Sequence, residues 1–175
     1  PAKICRYSID NIPRSLSIRQ GDDVWLGYDL EKAQVFKVWK APAGKPGVVV
    51  NSFKAQSSGT TLFEGKDGVG WQIKIDGKGV PLTPRYLGCT EQDEYFELKW
   101  ELRYPDGAIV LSERIPTTRT PDKSTSHRLV RIEPLVTGVS LVLPEIYREA
   151  WILTDAEGKT VSTFTGPDWH RLSLP

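Results

Sequence analysis

The chain has 175 residues, of which 39% are hydrophobic and 26% are charged, and these values are ordinary for a globular protein. Its 23 lysines and arginines nearly cancel its 22 aspartates and glutamates, so the sequence predicts no electrostatic field that would attract nucleic acid. No apolar run approaches the ~20 residues that a membrane-spanning helix needs. We therefore expect a single domain over residues 1–175, with no nucleic-acid partner and no membrane span.

The aromatic content of the chain favours β-structure. It has six Trp, six Tyr and five Phe but no Met. Flat aromatic side chains pack well on the pleated surface of a sheet. We therefore expect an all-β fold.

Alternating apolar and polar residues predict the strands of the N-terminal part of the chain. The predicted strands are residues 15–19, 24–29, 34–40, 48–53 and 60–64. The first two form a hairpin around the turn residues at 21–23. The strand at 34–40 is apolar on both faces, with Trp39 on one and Phe36 on the other, so we expect it to be central.

Two hairpins are predicted in the middle of the chain. Residues 71–75 place alternate apolar side chains on one face, and Asp76 and Gly77 then supply the positive φ angles of a tight turn. Residues 95–104 have one continuous apolar face, and after a turn at 105–107 the chain returns over residues 109–115. The apolar face of the first of these strands consists of Phe96, Leu98, Trp100, Leu102 and Tyr104.

The C-terminal part begins with a segment rich in Ser and Thr, residues 116–126, which predicts a mobile surface loop. Further strands are predicted at 127–136, 139–143, 149–154 and 160–165, and only residues 144–150 could hold a helical turn. About eleven short strands at hairpin spacing predict two packed antiparallel sheets. The expected fold is a β-sandwich, jelly-roll-like or a larger two-sheet arrangement.

Common catalytic and metal-binding motifs are absent from the sequence. It has two His and two Cys, with no C-x-x-C, no H-E-x-x-H and no G-x-S-x-G. Glu97 and Glu101 share a strand face, but they alternate with Lys99 and Arg103, which is typical of a solvated face. We therefore predict no catalytic residue, no metal ligand and no cofactor.

The candidate binding site consists of Tyr28, Asp29, Lys37 and Trp39. These residues lie on adjacent predicted strands and could converge at one end of a sheet. An aromatic platform beside a carboxylate and an ammonium is what a sugar ring with vicinal hydroxyls requires. The alternative is that Trp39 belongs to the core, and the exposure of Trp39 and Trp169 decides between the two interpretations.

The two cysteines, Cys5 and Cys89, allow two interpretations. A disulfide between them would stabilise the fold by about 4.5 kcal/mol in the chain-entropy model, and it would place the domain in an oxidising compartment. The alternative is two separate buried thiols.

Two segments of the chain resemble a known domain. The first is Val24-Trp25-Leu26-Gly27-Tyr28-Asp29, followed by Phe36-Lys37-Val38-Trp39-Lys40. The second contains Trp71, Asp76-Gly77-Lys78, Pro81 and Arg85-Tyr86-Leu87-Gly88. Together they resemble a β-rich accessory domain of extracytoplasmic bacterial multidomain proteins that also carry c-type cytochrome and sorbosone-dehydrogenase-like modules.

This resemblance implies a periplasmic or secreted β-sandwich that accompanies oxidative or carbohydrate-processing partners. It brings no established catalytic residue with it. Cys89 stands where the domain more often has an aromatic residue, and this exchange favours a bridge to Cys5.

Three functional hypotheses follow from the sequence. The first is a noncatalytic extracytoplasmic module that binds carbohydrate or docks a redox or sugar-processing partner. The second is a carboxylate-dependent glycoside hydrolase or lyase in which Asp29 acts. The third is a structural spacer or assembly domain whose aromatic residues all belong to the core.

Overall fold

The computed structural model describes residues 3–65, 70–118 and 123–175. They form antiparallel sheets almost throughout, which confirms the predicted all-β sandwich class, with 17 strands rather than about eleven. In chain order the elements are β1 (Ile4–Cys5), β2 (Ser15–Gln20), β3 (Val24–Asp29), β4 (Gln34–Lys40), β5 (Val48–Asn51), β6 (Lys54–Ser57), β7 (Thr60–Glu64), β8 (Gln72–Ile75), β9 (Lys78–Val80), β10 (Thr83–Glu91), β11 (Tyr95–Tyr104), β12 (Gly107–Pro116), β13 (Ser126–Glu133), β14 (Val139–Val142), α1 (Glu145–Arg148), β15 (Ile152–Thr154), β16 (Thr163–Phe164) and β17 (His170–Leu174).

Two large sheets enclose the main core. The first has the strand order β1-β2-β3-β4-β7, and the second has the order β10-β11-β12-β13-β17-β15. A smaller sheet has the order β16-β14-β8-β9, and β5 and β6 form a separate hairpin. The core takes side chains from both large sheets and from the smaller one, among them Leu26, Trp100, Leu111 and Ile73.

A second, smaller apolar cluster lies on the opposite face of the first sheet. Trp25 of β3 and Trp39 of β4 stack there with their ring centroids 6.2 Å apart, and Ala55 of β6 packs in the same cluster. The Nε1 atom of Trp39 donates to the carbonyl oxygen of Gly47 at 2.8 Å. The prediction of a central strand at 34–40 is therefore confirmed, because β4 lies between β3 and β7 and is covered on both faces.

Both predicted hairpins in the middle of the chain are confirmed. Asp76 and Gly77 have φ angles of 49° and 80° and join β8 to β9. β11 and β12 pair without interruption along their whole length. Along β11 the apolar face is buried as far as Leu102, as its alternation predicts.

The longest strand that the sequence analysis misses is β10, at one edge of the second sheet. The sequence does not predict this strand because it contains Pro84 and Gly88, and both residue types are depleted in strands. The proline is tolerated because β10 is an edge strand. Gly88 has a φ angle of 133° beside a bulge at Leu87, where the pairing with β11 shifts. The short strands β1, β6 and β17 are also absent from the prediction.

The C-terminal strands are shorter than predicted. β15 begins at Ile152 rather than at residue 149, because α1 and the turn after it occupy the preceding residues. The strand predicted at 160–165 is reduced to the two residues of β16. α1 confirms the helical turn predicted within 144–150. In the ranges that the structure describes, no helix is long and apolar enough to cross a membrane.

The segment predicted as a mobile loop, 116–126, shares its first and last residues with strands. Its residues 119–122 lie outside the described residues. Pro116 ends β12, and the backbone N–H of the next residue, Thr117, donates to the carbonyl oxygen of Glu94 at 2.9 Å. Ser126 begins β13, and its hydroxyl donates to Oε1 of Gln20 at 2.8 Å.

Cys5 and Cys89 are free thiols, so the disulfide considered for them is not formed. The alternation of β1 gives the physical reason. Ile4 packs against the main core, so the next side chain, Cys5, packs against the second cluster on the other face of the sheet. Cys89 packs against the main core from β10. The two thiols therefore lie on opposite sides of the first sheet.

Candidate functional site

A polar pocket of about 520 Å³ lies where β3 ends and β4 begins. Its charged lining consists of Asp10, Asp29, Lys32, Lys37 and Glu64, and its remaining side chains include Gln34, Phe36 and Tyr147. We call this site the polar pocket. Carboxylates and ammonium groups thus share one concavity, which offers both acceptors and donors of hydrogen bonds to a ligand.

Lys37 projects from β4 and is fixed by two partners. Its Nζ atom donates to Oγ of Ser57 at 2.7 Å and lies 3.7 Å from Oδ2 of Asp10. Asp10 also accepts the backbone N–H of Ser57 at 2.8 Å. These contacts tie the N-terminal segment, β4 and β6 together at one wall of the polar pocket.

Asp29 is the last residue of β3, and Gln34, the first residue of β4, pairs with it. One carboxylate oxygen of Asp29 accepts the backbone N–H of Glu31 at 3.1 Å. Burial raises the pKa of Asp29, while the hydrogen bond from Glu31 and the charge of Lys32 oppose the rise. A partly desolvated carboxylate of this kind gains from any donor that a ligand brings.

Phe36 occupies a bulge in β4. Tyr28 pairs with Val35 and Gly27 pairs with Lys37, so Phe36 is the extra residue on its strand. A Cβ atom on Gly27 would lie 2.8 Å from the Phe36 ring, so a glycine at this position lets the ring lie across β3. The half-buried ring is the aromatic lining of the polar pocket contributed by the first sheet.

Tyr147 reaches the polar pocket from α1. Its hydroxyl donates to the carbonyl oxygen of Val35 at 2.9 Å. Gly65 gives this hydroxyl room, because a Cβ atom there would lie 2.5 Å from the Tyr147 oxygen. Burial raises the pKa of Tyr147 above its ordinary value, so the hydroxyl stays protonated and acts as a donor.

Gln34 connects the polar pocket to a charged network inside the main core. Its Oε1 atom accepts from Nη2 of Arg128 at 2.8 Å, and Nε of Arg128 lies 3.0 Å from Oε1 of Glu113. Glu113 also accepts from the hydroxyl of Tyr28 at 3.0 Å. Burial raises the pKa of Glu113, and the charge of Arg128 opposes this rise. The Nε2 atom of Gln34 is buried and finds no acceptor in the described part of the chain.

Two of the four predicted site residues line the polar pocket, and two do not. Asp29 and Lys37 line it together. Tyr28 is fully buried in the main core, where its hydroxyl is used by Glu113. Trp39 is fully buried in the second cluster, so its ring is unavailable as an exposed platform for a sugar.

Trp169 does not present a free platform either. Its ring is half-buried on the second sheet, and the guanidinium carbons of Arg114 and Arg131 lie 4.4 Å and 4.6 Å from the ring centroid. Arg114 also packs over the ring of Tyr95 at 4.7 Å and bonds to Glu97 at 2.9 Å. The ring of Trp169 is therefore engaged by cation–π contacts within the protein.

Six charged, polar or aromatic residues of the pocket are absent from the site predicted from the sequence: Asp10, Lys32, Gln34, Phe36, Glu64 and Tyr147. Glu64 carries the clearest signal, because it lies opposite Lys37 when β4 pairs with β7, and opposite charges at facing strand positions attract. The sequence places Phe36 only on a strand face, since a bulge has no reliable sequence pattern. Tyr147 comes from a distant part of the chain.

Neither a metal-ligand cluster nor a comparison with known proteins identifies what the polar pocket binds. Among the described residues, no group of three or more His, Cys, Asp and Glu side chains is placed to hold a metal ion. No family model, no curated protein and no solved structure matches the chain.

Proposed function

We propose that this chain is a noncatalytic β-sandwich module that binds a small saccharide in the polar pocket. The observation that carries the proposal is the convergence of three carboxylates and two ammonium groups around one cavity that also contains an aromatic ring. Its volume of about 520 Å³ lies in the range of small-molecule sites.

Hydroxyl groups suit this lining because each one donates one hydrogen bond and accepts others. Asp29 and Glu64 accept from vicinal hydroxyls, while Lys32 donates to them.

Phe36 takes the place that sequence analysis assigned to Trp39. Its half-buried ring lines the same cavity as Asp29 and Lys37. A ring of this kind can pack against the C–H face of a sugar, while the charged groups bond to the hydroxyls. The recognition mode proposed from the sequence is therefore kept, with a different aromatic residue.

Glycoside hydrolysis is the second candidate function, and one observation favours it. Burial raises the pKa of Asp29, and Glu64 lines the same cavity, so a carboxylic acid and a carboxylate could share one ligand. Binding is the better proposal because Asp29 and Asp10 already accept hydrogen bonds from the protein backbone. Release of reducing ends during the binding experiment would favour the hydrolase.

The resemblance of residues 24–40 and 71–88 to an extracytoplasmic bacterial accessory domain supports two further parts of the proposal. These are an extracytoplasmic location and a redox or sugar-processing partner. Expression of the full-length protein, followed by fractionation of the producing cells into cytoplasm, periplasm and medium, tests the location.

Isothermal titration of the protein with glucose, galactose, mannose, xylose and their disaccharides tests the proposed binding. We expect at least one saccharide to bind, and Asp29→Asn to weaken its binding about tenfold, since a hydrogen bond to a charged group is lost. Glu157→Gln, an exposed carboxylate away from the polar pocket, is the matched control and should bind like the wild type. Equal affinity of both variants would contradict the proposal.

A further inference from the structure

A second cavity, of about 930 Å³, lies between the N-terminal segment and the loop that follows β4. We call it the edge groove. Its lining includes Trp25, Tyr7, Val48 and Val50. It shares no lining residue with the polar pocket.

The strand β5 presents an open edge to this groove. Within the described chain β5 pairs only with β6, in a register that matches Asn51 with Lys54. In a hairpin with this two-residue turn, the residues of β5 whose backbone groups bond to β6 are 51 and 49. The backbone N–H of Ser58 donates to the carbonyl oxygen of Gly47 at 2.9 Å, so the next odd-numbered position also bonds across the hairpin. The backbone N–H and C=O groups of Val48 and Val50 therefore point away from β6.

Apolar side chains are exposed around this open edge. Val50 is 47% exposed, Tyr7 is 50% exposed, and Phe53 at the tip of the hairpin is 90% exposed. Exposed valines along an unpaired strand edge form a template for another extended chain.

The charged side chains of the edge groove favour an anionic occupant. Arg6, Arg19 and Lys45 line it, against Asp22 and Asp23. Asp23 already has a cation, since its Oδ2 atom lies 3.6 Å from Nζ of Lys40 outside the lining. The Nε atom of Arg19 is buried and has no acceptor within the described ranges.

We propose that the edge groove binds an extended peptide of a partner protein, which adds to β5 as a third strand. The peptide has apolar residues at alternate positions, which pack against Trp25 and Tyr7, and a carboxylate, from Asp, Glu or its C-terminus, which pairs with Arg19 or Arg6. The excess of cations in the lining of the groove, after Asp23 is paired with Lys40, favours a peptide that carries a carboxylate over a second copy of the chain. The proposal concerns a different surface from the saccharide site and does not depend on it.

A display library of random octapeptides with free C-termini is the probe. The best binder is synthesised in two N-methylated series, which block the peptide N–H groups of odd or of even positions. Because a β-strand directs alternate N–H groups to opposite sides, we expect one series to lose binding and the other to keep it. Amide signals of Val48 and Val50 should shift on binding in NMR spectra.

Variants of the protein provide an independent arm. Val50→Pro removes an N–H group that β6 does not use, and we expect binding of the selected peptide to weaken about fivefold to tenfold, as for one lost backbone hydrogen bond. Lys45→Glu should weaken it as well, whereas Lys159→Glu, at an exposed site elsewhere, should not.

Three results would overturn the proposal. The first is a selection that yields no peptide whose binding shifts Val48 and Val50. The second is equal affinity of the two N-methylated series. The third is concentration-dependent dimerisation that shifts the same amides without any peptide, because a second copy would then occupy the edge.

Discussion

The Nζ atom of Lys37 lies 3.7 Å from Oδ2 of Asp10, which ties the central strand β4 to the segment that precedes β2. Both residues line the polar pocket, and Ser57 of β6 bonds to both of them. One wall of the candidate saccharide site is therefore assembled from three parts of the chain. Changes at this wall should affect the ligand and the attachment of the β5–β6 hairpin together.

Lys37→Met should weaken saccharide binding and loosen the hairpin. The methionine keeps the aliphatic stem but cannot donate to Ser57 or pair with Asp10. We expect faster amide hydrogen exchange in β6 and weaker binding in calorimetry. Lys74→Met on β8 is the control because Lys74 lies outside the polar pocket, and an identical response of both variants would contradict this role for Lys37.

Phe36→Ala should weaken saccharide binding about fivefold to tenfold, because the apolar face beneath the sugar is removed. Trp39→Phe should weaken binding less, since Trp39 does not line the polar pocket and packs beside Phe36 only within the second cluster. Titrations of the two variants give the comparison. If Trp39→Phe loses more affinity than Phe36→Ala and still melts like the wild type, the result would contradict the role of Phe36 and favour Trp39 as the aromatic platform.

The stability difference between the wild type and the Asp29→Asn variant should depend on pH. Burial raises the folded-state pKa of Asp29 above its ordinary value, so the folded state binds the proton more tightly than the unfolded state. The ionised group therefore costs stability at neutral pH, and this cost disappears as the pH falls through the folded-state pKa. Urea melts of both proteins between pH 7 and about pH 4 measure the difference.

In those melts, wild-type stability should rise relative to Asp29→Asn as the pH falls. Glu113 also has a raised pKa, but it is present in both proteins and cancels in the difference. A difference that stays constant, or that changes in the opposite direction, would show that Asp29 is not desolvated in the folded protein.

Arg128→Met should be strongly destabilising, by about 3–5 kcal/mol, because it leaves the fully buried Glu113 without its cation. Adding Glu113→Gln should recover part of the loss, since the uncompensated charge is removed. Arg103→Met at the exposed pair with Glu101 is the control, with a much smaller expected change because solvent screens that pair. Equal losses for Arg128→Met and Arg103→Met in denaturant melts would contradict this assignment.

The fold is predictable from the sequence wherever one face of a strand is polar and the other apolar. Both ends of β11 are predicted correctly because its alternation is uninterrupted. The Asp76-Gly77 pair predicts the turn between β8 and β9. β10 is missed because a proline at a sheet edge and a glycine at a bulge have the same sequence signature as a loop.

The candidate site is predictable only in part, for a related reason. Asp29 and Lys37 are found because neighbouring strands bring them to one end of the sheet. Trp39 is misassigned because the sequence does not show that the β5–β6 hairpin folds over the outer face of β4. Phe36 is missed because a bulge changes the alternation of its strand, and Tyr147 because it is remote in the chain.

Backbone NMR of the full chain during titration with the saccharide panel tests the central claim most directly. Binding in the polar pocket should shift the amide signals of Asp29, Gln34, Lys37 and Glu64, and should leave that of Glu157, in an exposed turn away from the pocket, unchanged. A saccharide that shifts only residues elsewhere, or a panel that shifts none at millimolar concentration, would contradict the account.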